Sequence, residues 1–240
     1  MLKALIFDVD GTLADTEMAH LAAFNHAFAE MGMDWNWDVA LYTDLLAISG
    51  GKERIRAYWQ TQSPDMTDIS GDGLQQTVDR LHEIKTAAYE QAVNDGAVQM
   101  REGVLPLLSQ ASDAGLQLAI ATTTSPVNIA ALLRRAIGAD WNQYFAVIED
   151  ASTAPRKKPD PLVYQQTLSR LALPAHECLA FEDSENGLRA ATAAGLPTIV
   201  TPNDFTARHD FQGALRIVPS LHGVGIPHLH EWHASQGASA

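Results

Sequence analysis

Two aspartates, one residue apart, follow a short apolar segment near the start of the chain. The segment LKALIFDV, residues 2–9, is rich in strand formers, and Asp10, Gly11 and Thr12 come directly after it. Because the chain can turn at Gly11, Asp8 and Asp10 can converge on one point, where two carboxylates repel unless a cation or a shared proton intervenes. Mg²⁺ prefers such oxygen ligands. The pattern predicts a Mg²⁺ site, with a polar turn that ends a strand as the alternative.

A run of hydroxyl side chains follows a second apolar segment, QLAIA at 117–121. The run consists of Thr122, Thr123, Thr124 and Ser125. Hydroxyl groups and free backbone N–H groups in front of a helix are suited to phosphate oxygens. The alternative is a helix cap made by Ser125 ahead of Pro126. Both hold together if Ser125 caps the helix while Thr122 faces the site.

Two further candidates come later in the chain. Lys158 precedes Pro159 in a cationic loop, and the acidic pair Glu182 and Asp183 follows the apolar segment CLAF at 178–181. The acidic pair could complete the ligand set of a metal. The alternatives are a solvated loop for the lysine and favourable charge at a helix N-terminus for the two acids, which is worth only about 0.3–1 kcal/mol.

Short apolar segments alternate with helical patterns from residue 103 onward. The predicted strands are 2–9, 117–121, 145–148, 178–181 and 197–200, and the predicted helices are 103–114, 126–137, 161–171 and 184–194. This alternation predicts an α/β fold with a Rossmann-like, doubly wound parallel sheet. Ligands of such sheets bind at the carboxyl ends of the strands. The candidate residues above all follow predicted strands.

The segment from residue 16 to 95 shows helical patterns without strands. Its two amphipathic stretches, 16–32 and 74–93, are separated by a polar loop at 61–73. We therefore expect a helical cap domain inserted into the sheet domain. The predicted division is a core of 1–15 and 96–235, a cap of 16–95 and a disordered tail of 236–240.

Composition excludes several classes of protein. The 240 residues carry a formal net charge of −13 with only 16 Lys and Arg, which argues against nucleic-acid binding. No apolar run approaches the roughly 18 residues of a membrane span, and no leader is evident, so a cytoplasmic protein is expected.

Cys178 has no cysteine to pair with and is expected in the core. The histidines of PHLHEWH, His228, His230 and His233, suggest zinc, but packing or a solvated helix is the favoured explanation.

Taken in order along the chain, these motifs resemble the haloacid dehalogenase superfamily, and the insertion is similar to its helical cap. The resemblance implies that Asp8 is the nucleophile of a phosphatase and that Asp10 is the general acid and base. Dehalogenases of the superfamily lack the second acid, so Asp10 favours phosphoryl transfer. The implied catalytic residues are Asp8, Asp10, Thr122 and Lys158, and the implied Mg²⁺ ligands are Asp8, Asp10, Glu182 and Asp183, with Asp10 contributing its carbonyl.

The segment SGGKERIR, residues 49–56, is an unusual cationic stretch in an acidic chain. Backbone N–H groups at Gly50 and Gly51, with the charges of Lys52 and Arg54, could bind a second phosphate of the substrate. The alternative is a helix break at the glycines. Arg54 and Arg56 would then lie on a solvated helix face, paired with Glu53 or Asp44.

Several stretches resemble the CbbY branch of the superfamily, the sugar-bisphosphate phosphatases associated with the Calvin cycle. These are DVDGTLADTE with His20, Tyr42 with Leu45 and Leu46, GGKERI, and ATTTS with Asn128. The resemblance implies xylulose-1,5-bisphosphate as substrate and xylulose 5-phosphate as product. The implied substrate-binding residues are Glu17, His20, Tyr42, Gly50, Gly51, Lys52, Arg54, Thr122, Thr123, Thr124, Asn128 and Lys158.

Two other functions stay open at this point. A sugar phosphomutase similar to β-phosphoglucomutase would share the cap and core motifs but return the phosphoryl group to the sugar. A non-catalytic sugar-phosphate-binding or regulatory protein would not need Asp8, Asp10, Lys158 and Asp183 together. The expected partner is a small phosphorylated sugar, with no nucleic acid and no membrane, and the expected assembly is a monomer or weak dimer.

Overall fold

The computed structural model describes residues 1–62 and 72–235. Most of the polar loop predicted at 61–73 and the tail predicted at 236–240 lie outside the described residues. Within the described part, the strands form one parallel sheet in the order β3-β2-β1-β4-β5-β6. They are β1 Ala4–Phe7, β2 Gln117–Ala121, β3 Val147–Glu149, β4 Cys178–Glu182, β5 Thr198–Val200 and β6 Arg216–Ile217.

Helices occupy much of the remaining chain that the structure describes. They are α1 Glu17–Glu30, α2 Val39–Leu45, α3 Gly51–Gln62, α4 Asp72–Asn94, α5 Val104–Asp113, α6 Pro126–Ile137, α7 Leu162–Leu171, α8 Glu185–Ala193 and α9 Ile226–Ala234. Two short 3₁₀ helices cover Trp141–Tyr144 and Ala175–Glu177. None of the helices in these ranges is both long and apolar enough to cross a membrane.

Residues of β1 alternate between two apolar clusters. Leu5 and Phe7 pack into one cluster, and Ala4 and Ile6 into the other, with all four fully buried. Successive strand residues point to opposite faces, so both faces of the sheet are covered. The predicted doubly wound α/β core is confirmed.

The sheet has its switch point beside β1. β2 lies on one side of β1 and β4 on the other, and the register aligns Phe7 with both Ile120 and Phe181. The residues that follow these three positions therefore emerge at the same edge of the sheet. A doubly wound sheet binds its ligands at this edge, where the strand order reverses.

A third apolar cluster lies within the predicted cap. Its buried residues run from Leu21 to Ile84 and include the fully buried rings of Trp37 and Tyr42. Phe205, which follows β5, packs against this cluster from the sheet side. On α8, Asn186 Nδ2 donates a hydrogen bond to Ala47 O at 2.9 Å. The insertion has its own core and also contacts the sheet domain.

The structure corrects several predicted bounds. The first strand covers Ala4–Phe7 rather than 2–9, because Val9 O accepts the N–H of Leu13 and the chain turns there. The strand predicted at 145–148 begins at Val147, after the 3₁₀ helix. Within the helical segment 16–95 no bounds were predicted for α2, and a helix after the two glycines, where α3 begins, was considered only as an alternative. The strand β6 was missed, because its two exposed residues carry no periodic signal.

Candidate active site

Asp8 is the first residue after β1, and its backbone N–H donates to Phe181 O at 3.0 Å. The loop that follows turns at Gly11, whose φ of 76° lies in the left-handed region. A Cβ at Gly11 would overlap the carboxylate of Asp183. The glycine thus allows the turn after β1 and leaves room for the acid that follows β4.

Three buried carboxylates meet at this edge. Asp8, Glu182 and Asp183 each place one oxygen within 4.8 Å of the others. Lys158 Nζ lies 2.6 Å from Asp8 Oδ1 and 2.6 Å from Glu182 Oε1, and it also donates to Ala121 O at 2.9 Å. One lysine therefore contacts two of the three acids.

Two of these acids, Asp8 and Asp183, have raised pKa values. Burial, opposed by Lys158 and assisted by Glu182, raises the pKa of Asp8 to about 7. Burial is the main cause that raises the pKa of Asp183 well above its usual range, and the negative charges of Asp8 and Glu182 raise it further. Although burial acts to lower it, the pKa of Lys158 is raised by Asp8 and Glu182. The cluster carries more negative charge than one lysine offsets, and such a site favours a further cation.

The cluster fits a hard divalent ion by a second criterion. Glu182 Oε1 accepts from Lys158 and from the hydroxyl of Tyr164, whereas its buried Oε2 has no hydrogen-bond partner among the described residues. A buried carboxylate oxygen without a partner is costly. A Cβ at Gly187, on α8, would overlap this carboxylate. Glu182, Asp183 and Asp8 therefore have the oxygen ligands and the space for Mg²⁺.

The carboxylate of Asp10 contacts the cap and is not part of this cluster. Asp10 Oδ1 lies 3.0 Å from His20 Nε2, and His20 Nδ1 lies 2.8 Å from the buried Lys85 Nζ. An ammonium group only donates, so Nδ1 accepts and Nε2–H donates to Asp10. The ring of His20 stacks on Tyr89 with 4.1 Å between centroids. The cap thereby orients one side chain of the sheet domain.

The charges near Asp10 determine its protonation. Burial acts to raise the pKa of Asp10, but His20, a hydrogen bond from Thr124 and the charge of Lys85 hold it well below its usual range. Burial lowers the pKa of Lys85 to about 8. Asp10 is therefore a carboxylate in this structure, the form that can accept a proton.

A second hydrogen-bonded chain lines the cap side. Tyr42 OH donates to Glu17 Oε2 at 2.7 Å, and Arg54 Nη1 lies 3.4 Å from the Tyr42 hydroxyl. The Arg54 guanidinium also donates to Leu45 O and Ile48 O, each at 3.1 Å, near the end of α2. Arg54 is only 9% exposed. The alternative that placed Arg54 on a solvated helix face is wrong, because the side chain is buried and its donors bind carbonyl groups at and after the end of α2.

The two glycines of the cationic segment differ in their constraints. Gly50 has a φ of 97°, and a Cβ at Gly51 would come within 2.9 Å of the His82 ring. Lys52 Nζ pairs with Asp79 of α4 at 2.6 Å. Its side chain stays 41% exposed. The segment begins α3 and leaves one accessible cation beside the glycines.

The hydroxyl run lies between β2 and α6. Ser125 is the N-cap of α6 and accepts the N–H of Asn128 at 3.4 Å, which confirms the cap. Thr122 Oγ1 accepts from Thr124 N at 3.4 Å. Asn128 Oδ1 is buried and has no hydrogen-bond partner within the described chain. Hydroxyls, N–H groups and one free amide oxygen thus face the same edge.

All of the predicted site residues line one cavity of about 540 Å³ between the sheet edge and the cap. They are Asp8, Asp10, Glu17, His20, Tyr42, Gly50, Gly51, Lys52, Arg54, Thr122, Thr123, Thr124, Asn128, Lys158, Glu182 and Asp183. The sequence analysis missed Lys85, His82 and Lys157, which line the same cavity. Polar residues at helical spacing on an amphipathic helix were the one signal for Lys85 and His82, and it also fits a solvated face.

The C-terminal histidines are remote from this site. His233 Nε2 bonds to His176 O at 2.8 Å, and His228 Nδ1 accepts from Gly225 N at 3.2 Å. Across residues 1–62 and 72–235, the acidic cluster is the one group with metal-ligand geometry. Cys178 is fully buried in β4, as expected.

Comparison with known proteins places this geometry in a family. The haloacid dehalogenase-like hydrolase family matches residues 2–195. The chain is 54% identical to the plasmid CbbY protein of Cupriavidus necator over 220 residues, which cover 92% of this chain and 86% of that protein. Crystal structures of CbbY from Rhodobacter sphaeroides are also similar. The phosphate complex has 40% identity, a TM-score of 0.88, and coverage of 96% and 100%. A point mutant with xylulose-1,5-bisphosphate has 39% identity, a TM-score of 0.87, and coverage of 95% and 98%.

Proposed function

Because the chain is a member of the haloacid dehalogenase-like hydrolase family and is similar to its CbbY proteins, it is a phosphatase, and we propose that its substrate is a sugar bisphosphate. The proposed reaction converts xylulose-1,5-bisphosphate to xylulose 5-phosphate, depends on Mg²⁺ and passes through an aspartyl phosphate. The carrying observation is one cavity that is lined both by the acidic cluster and by the accessible cation Lys52. A CbbY relative binds this bisphosphate.

In the first proposed step, a carboxylate oxygen of Asp8 attacks phosphorus and the bond from phosphorus to the sugar oxygen breaks. The leaving oxygen takes a proton from Asp10. Asp10 must then be protonated when substrate is bound, and a phosphoryl dianion nearby favours this because neighbouring negative charges raise the pKa of an acid. The contact between Lys158 and Asp8 supports a role for Lys158 in orienting the nucleophile.

In the second proposed step, Asp10 removes a proton from water, and the water oxygen attacks phosphorus as the bond to Asp8 breaks. Phosphate is released and Asp10 carries the proton needed for the next substrate. His20 and Lys85 keep Asp10 a carboxylate against the effect of burial, and this is the protonation state that the step requires.

Asp8, Glu182 and Asp183 would hold Mg²⁺, together with the carbonyl of Asp10 that the resemblance implies. When bound, this ion supplies positive charge that neutralises the transferring phosphoryl group and the surrounding acids. Thr122 and Lys158 would add hydrogen bonds to the same oxygens. Four carboxylates would otherwise repel a phosphate, which is the physical reason for the proposed metal dependence.

The cap side of the cavity is proposed to bind the second phosphate and the sugar. Gly50, Gly51, Lys52 and Arg54 would hold the distal phosphate, and Asn128 with the adjoining hydroxyl residues Thr123 and Thr124 would complete the binding surface. Glu17, His20 and Tyr42 would contact sugar hydroxyls, because a carboxylate accepts hydrogen bonds from hydroxyl groups and an apolar wall does not.

We also propose the division into a core of 1–15 and 96–235 and a cap of 16–95. The separate apolar cluster of the insertion supports this division.

The test is phosphate release from a panel of sugar monophosphates and bisphosphates with MgCl₂, with chelator, and with MgCl₂ restored. We expect turnover to be fastest with xylulose-1,5-bisphosphate, to stop with chelator and to return with MgCl₂. Asp8→Asn should abolish turnover, and its circular dichroism spectrum should match that of the wild type. Turnover of Asp8→Asn near the wild-type rate would remove the nucleophile assignment.

The products distinguish the phosphatase from a mutase. A phosphatase releases inorganic phosphate in step with xylulose 5-phosphate. An isomerised sugar phosphate without release of phosphate would contradict the proposal and favour phosphoryl return to the sugar. Binding of the bisphosphate without any turnover would instead favour a non-catalytic binding protein.

A further inference from the structure

The segment that follows β5 contacts the acidic cluster through one amide side chain. We call residues 201–206 the Asn203 loop. Asn203 Oδ1 accepts the backbone N–H groups of Phe205 at 2.9 Å and Thr206 at 3.2 Å. Backbone N–H groups only donate, so the other end of the amide is Nδ2. Nδ2 lies 2.8 Å from Asp183 Oδ2. The loop's own turn therefore fixes a donor against a carboxylate of the cluster.

An arginine whose side chain is 10% exposed holds the start of this loop. The Arg101 guanidinium donates to Thr201 O and Thr201 Oγ1, to Pro202 O at 2.8 Å, and to Gly11 O at 2.6 Å. Its Nε lies 3.4 Å from the carboxylate of Asp15. Asn203 Nδ2 also lies 3.5 Å from Gly11 O. Arg101 thus joins the Asn203 loop to the turn that carries the catalytic aspartates.

Of the two side chains that donate to the Asp183 carboxylate within the described residues, Asn203 lies nearer, at 2.8 Å. Thr12 Oγ1 lies 3.5 Å from Asp183 Oδ1, at the limit of a hydrogen bond. Lys158 contacts the other two acids of the cluster, and within the described chain it makes no hydrogen bond to Asp183. Donors that orient a ligating carboxylate commonly change metal affinity by about 10- to 100-fold when they are removed.

We propose that Asn203 is a positioning residue for Asp183 in Mg²⁺ binding and that Arg101 holds Asn203 at this distance. The inference rests on the proposed Mg²⁺ dependence. Asn203 binds Oδ2 of Asp183 and thereby fixes the orientation of a carboxylate that belongs to the cluster. Phe205, whose N–H is held by the same side chain, lies with its ring 6.0 Å from the Tyr42 ring of the cap.

A purely structural role for Asn203 is the competing explanation, because asparagine commonly closes such turns. Asn203→Ser separates the two. A serine hydroxyl can still accept the N–H groups of the turn, but it is too short to reach Asp183. Asp210→Ser is a matched control. Asp210 Oδ1 accepts Gln212 N at 2.9 Å in an exposed turn of the same connection between β5 and β6.

The experiment is isothermal titration of MgCl₂ into the full-length protein without substrate, followed by phosphate release across a range of MgCl₂ concentrations. For Asn203→Ser we expect the Kd of Mg²⁺ to rise about 10- to 100-fold. We also expect kcat at saturating MgCl₂ to recover most of its wild-type value, and the thermal midpoint of the metal-free protein to stay close to that of the wild type. Asp210→Ser should bind Mg²⁺ as the wild type does.

Arg101→Lys tests the second part, because one ammonium group cannot replace four guanidinium contacts. It should weaken Mg²⁺ binding in the same direction. A Kd within twofold of the wild type for Asn203→Ser overturns the role of Asn203, and the same result for Arg101→Lys overturns the role of Arg101. Absence of Mg²⁺ binding and of Mg²⁺-dependent turnover in the wild type itself would instead overturn the proposed function, and this inference with it.

Discussion

The imidazole of His20, on the first helix of the cap, donates through Nε2 to the carboxylate of Asp10 in the sheet domain at 3.0 Å. Lys85, from a second cap helix, lies 2.8 Å from the other ring nitrogen and fixes the tautomer. The acid and base group of the proposed reaction is therefore oriented by two residues of the insertion. In the proposed mechanism, catalysis therefore depends on the position of the cap.

Replacing His20 by leucine should remove the hydrogen bond that orients Asp10, while the leucine side chain keeps the buried position filled. We expect kcat to fall about 10- to 100-fold, because positioned acid–base catalysis contributes at least this much. The pKa of Asp10 should rise towards its usual value, since His20 and Lys85 hold it low against burial. The acidic limb of the pH profile of kcat should therefore move to higher pH.

The matched control is His26→Leu on the same helix. His26 is 59% exposed on its side chain and pairs with Glu30 at 3.3 Å, outside the active cavity. Its kinetics should equal those of the wild type. An unchanged kcat and pH profile in His20→Leu would contradict the role given to His20.

Lys85→Met should make the protein more stable and less active. Burial lowers the pKa of Lys85 from 10.5 to about 8, so the cost of the buried charge is fully present below pH 8 and disappears as the pH rises from about 8 to about 10.5. At pH 7 the gain in the free energy of unfolding is bounded by roughly 3 kcal/mol. Urea unfolding at pH 7 and at pH 10.5 measures it, and a variant less stable than the wild type at pH 7 would refute this account.

Gly187→Ala reverses the usual preference for alanine in a helix. An exposed helical glycine normally gains about 0.5–1 kcal/mol on replacement by alanine. At Gly187 a Cβ would overlap the Glu182 carboxylate, so we expect lower stability and lower kcat. Gly73→Ala in α4 is the control, because no atom lies within 4 Å of its Cβ position. Thermal melts and phosphate release give both readouts, and equal behaviour of the two variants would argue against the overlap.

Lys52→Ala should separate a bisphosphate from a monophosphate substrate. Lys52 is partly exposed and paired only with Asp79 among the described salt bridges, so its loss should leave stability nearly unchanged. We expect kcat/KM to fall about 10-fold or more for xylulose-1,5-bisphosphate and by less than twofold for a monophosphate, since only the former has a distal anion. Arg54→Ala should show the same preference together with lower stability, because Arg54 also satisfies carbonyl groups of the cap.

Arg80→Ala is the control for these cations. Arg80 lies on α4, is 59% exposed and pairs with Glu83 at 3.4 Å, away from the active cavity. It should leave both substrates unaffected. Equal losses on the bisphosphate and the monophosphate in Lys52→Ala would rule out a distal phosphate at this position.

The sequence by itself determined the sheet and the positions of its acids. Apolar runs such as 117–121 and helix signals such as Ser125 with Pro126 are local. The strand β2, the N-cap Ser125 and the start of α6 were therefore predicted at the correct residues. Asp8 and Asp183 could be assigned to one edge because the carboxyl ends of parallel strands meet there. The short strand β6 was missed, and no bounds were predicted for α2 and α3, because the periodic signals of these elements are too weak.

Only the tertiary structure decided which polar groups that are distant in sequence reach the site. Lys85 is separated from His20 by 65 positions along the chain, and Asn203 from Asp183 by 20. Contacts of this kind depend on how helices pack and where loops end, and a linear pattern does not encode either. Arg54 is the clearest case. Its spacing fits a solvated helix face equally well, and burial against the carbonyl groups at the end of α2 is what distinguishes the two.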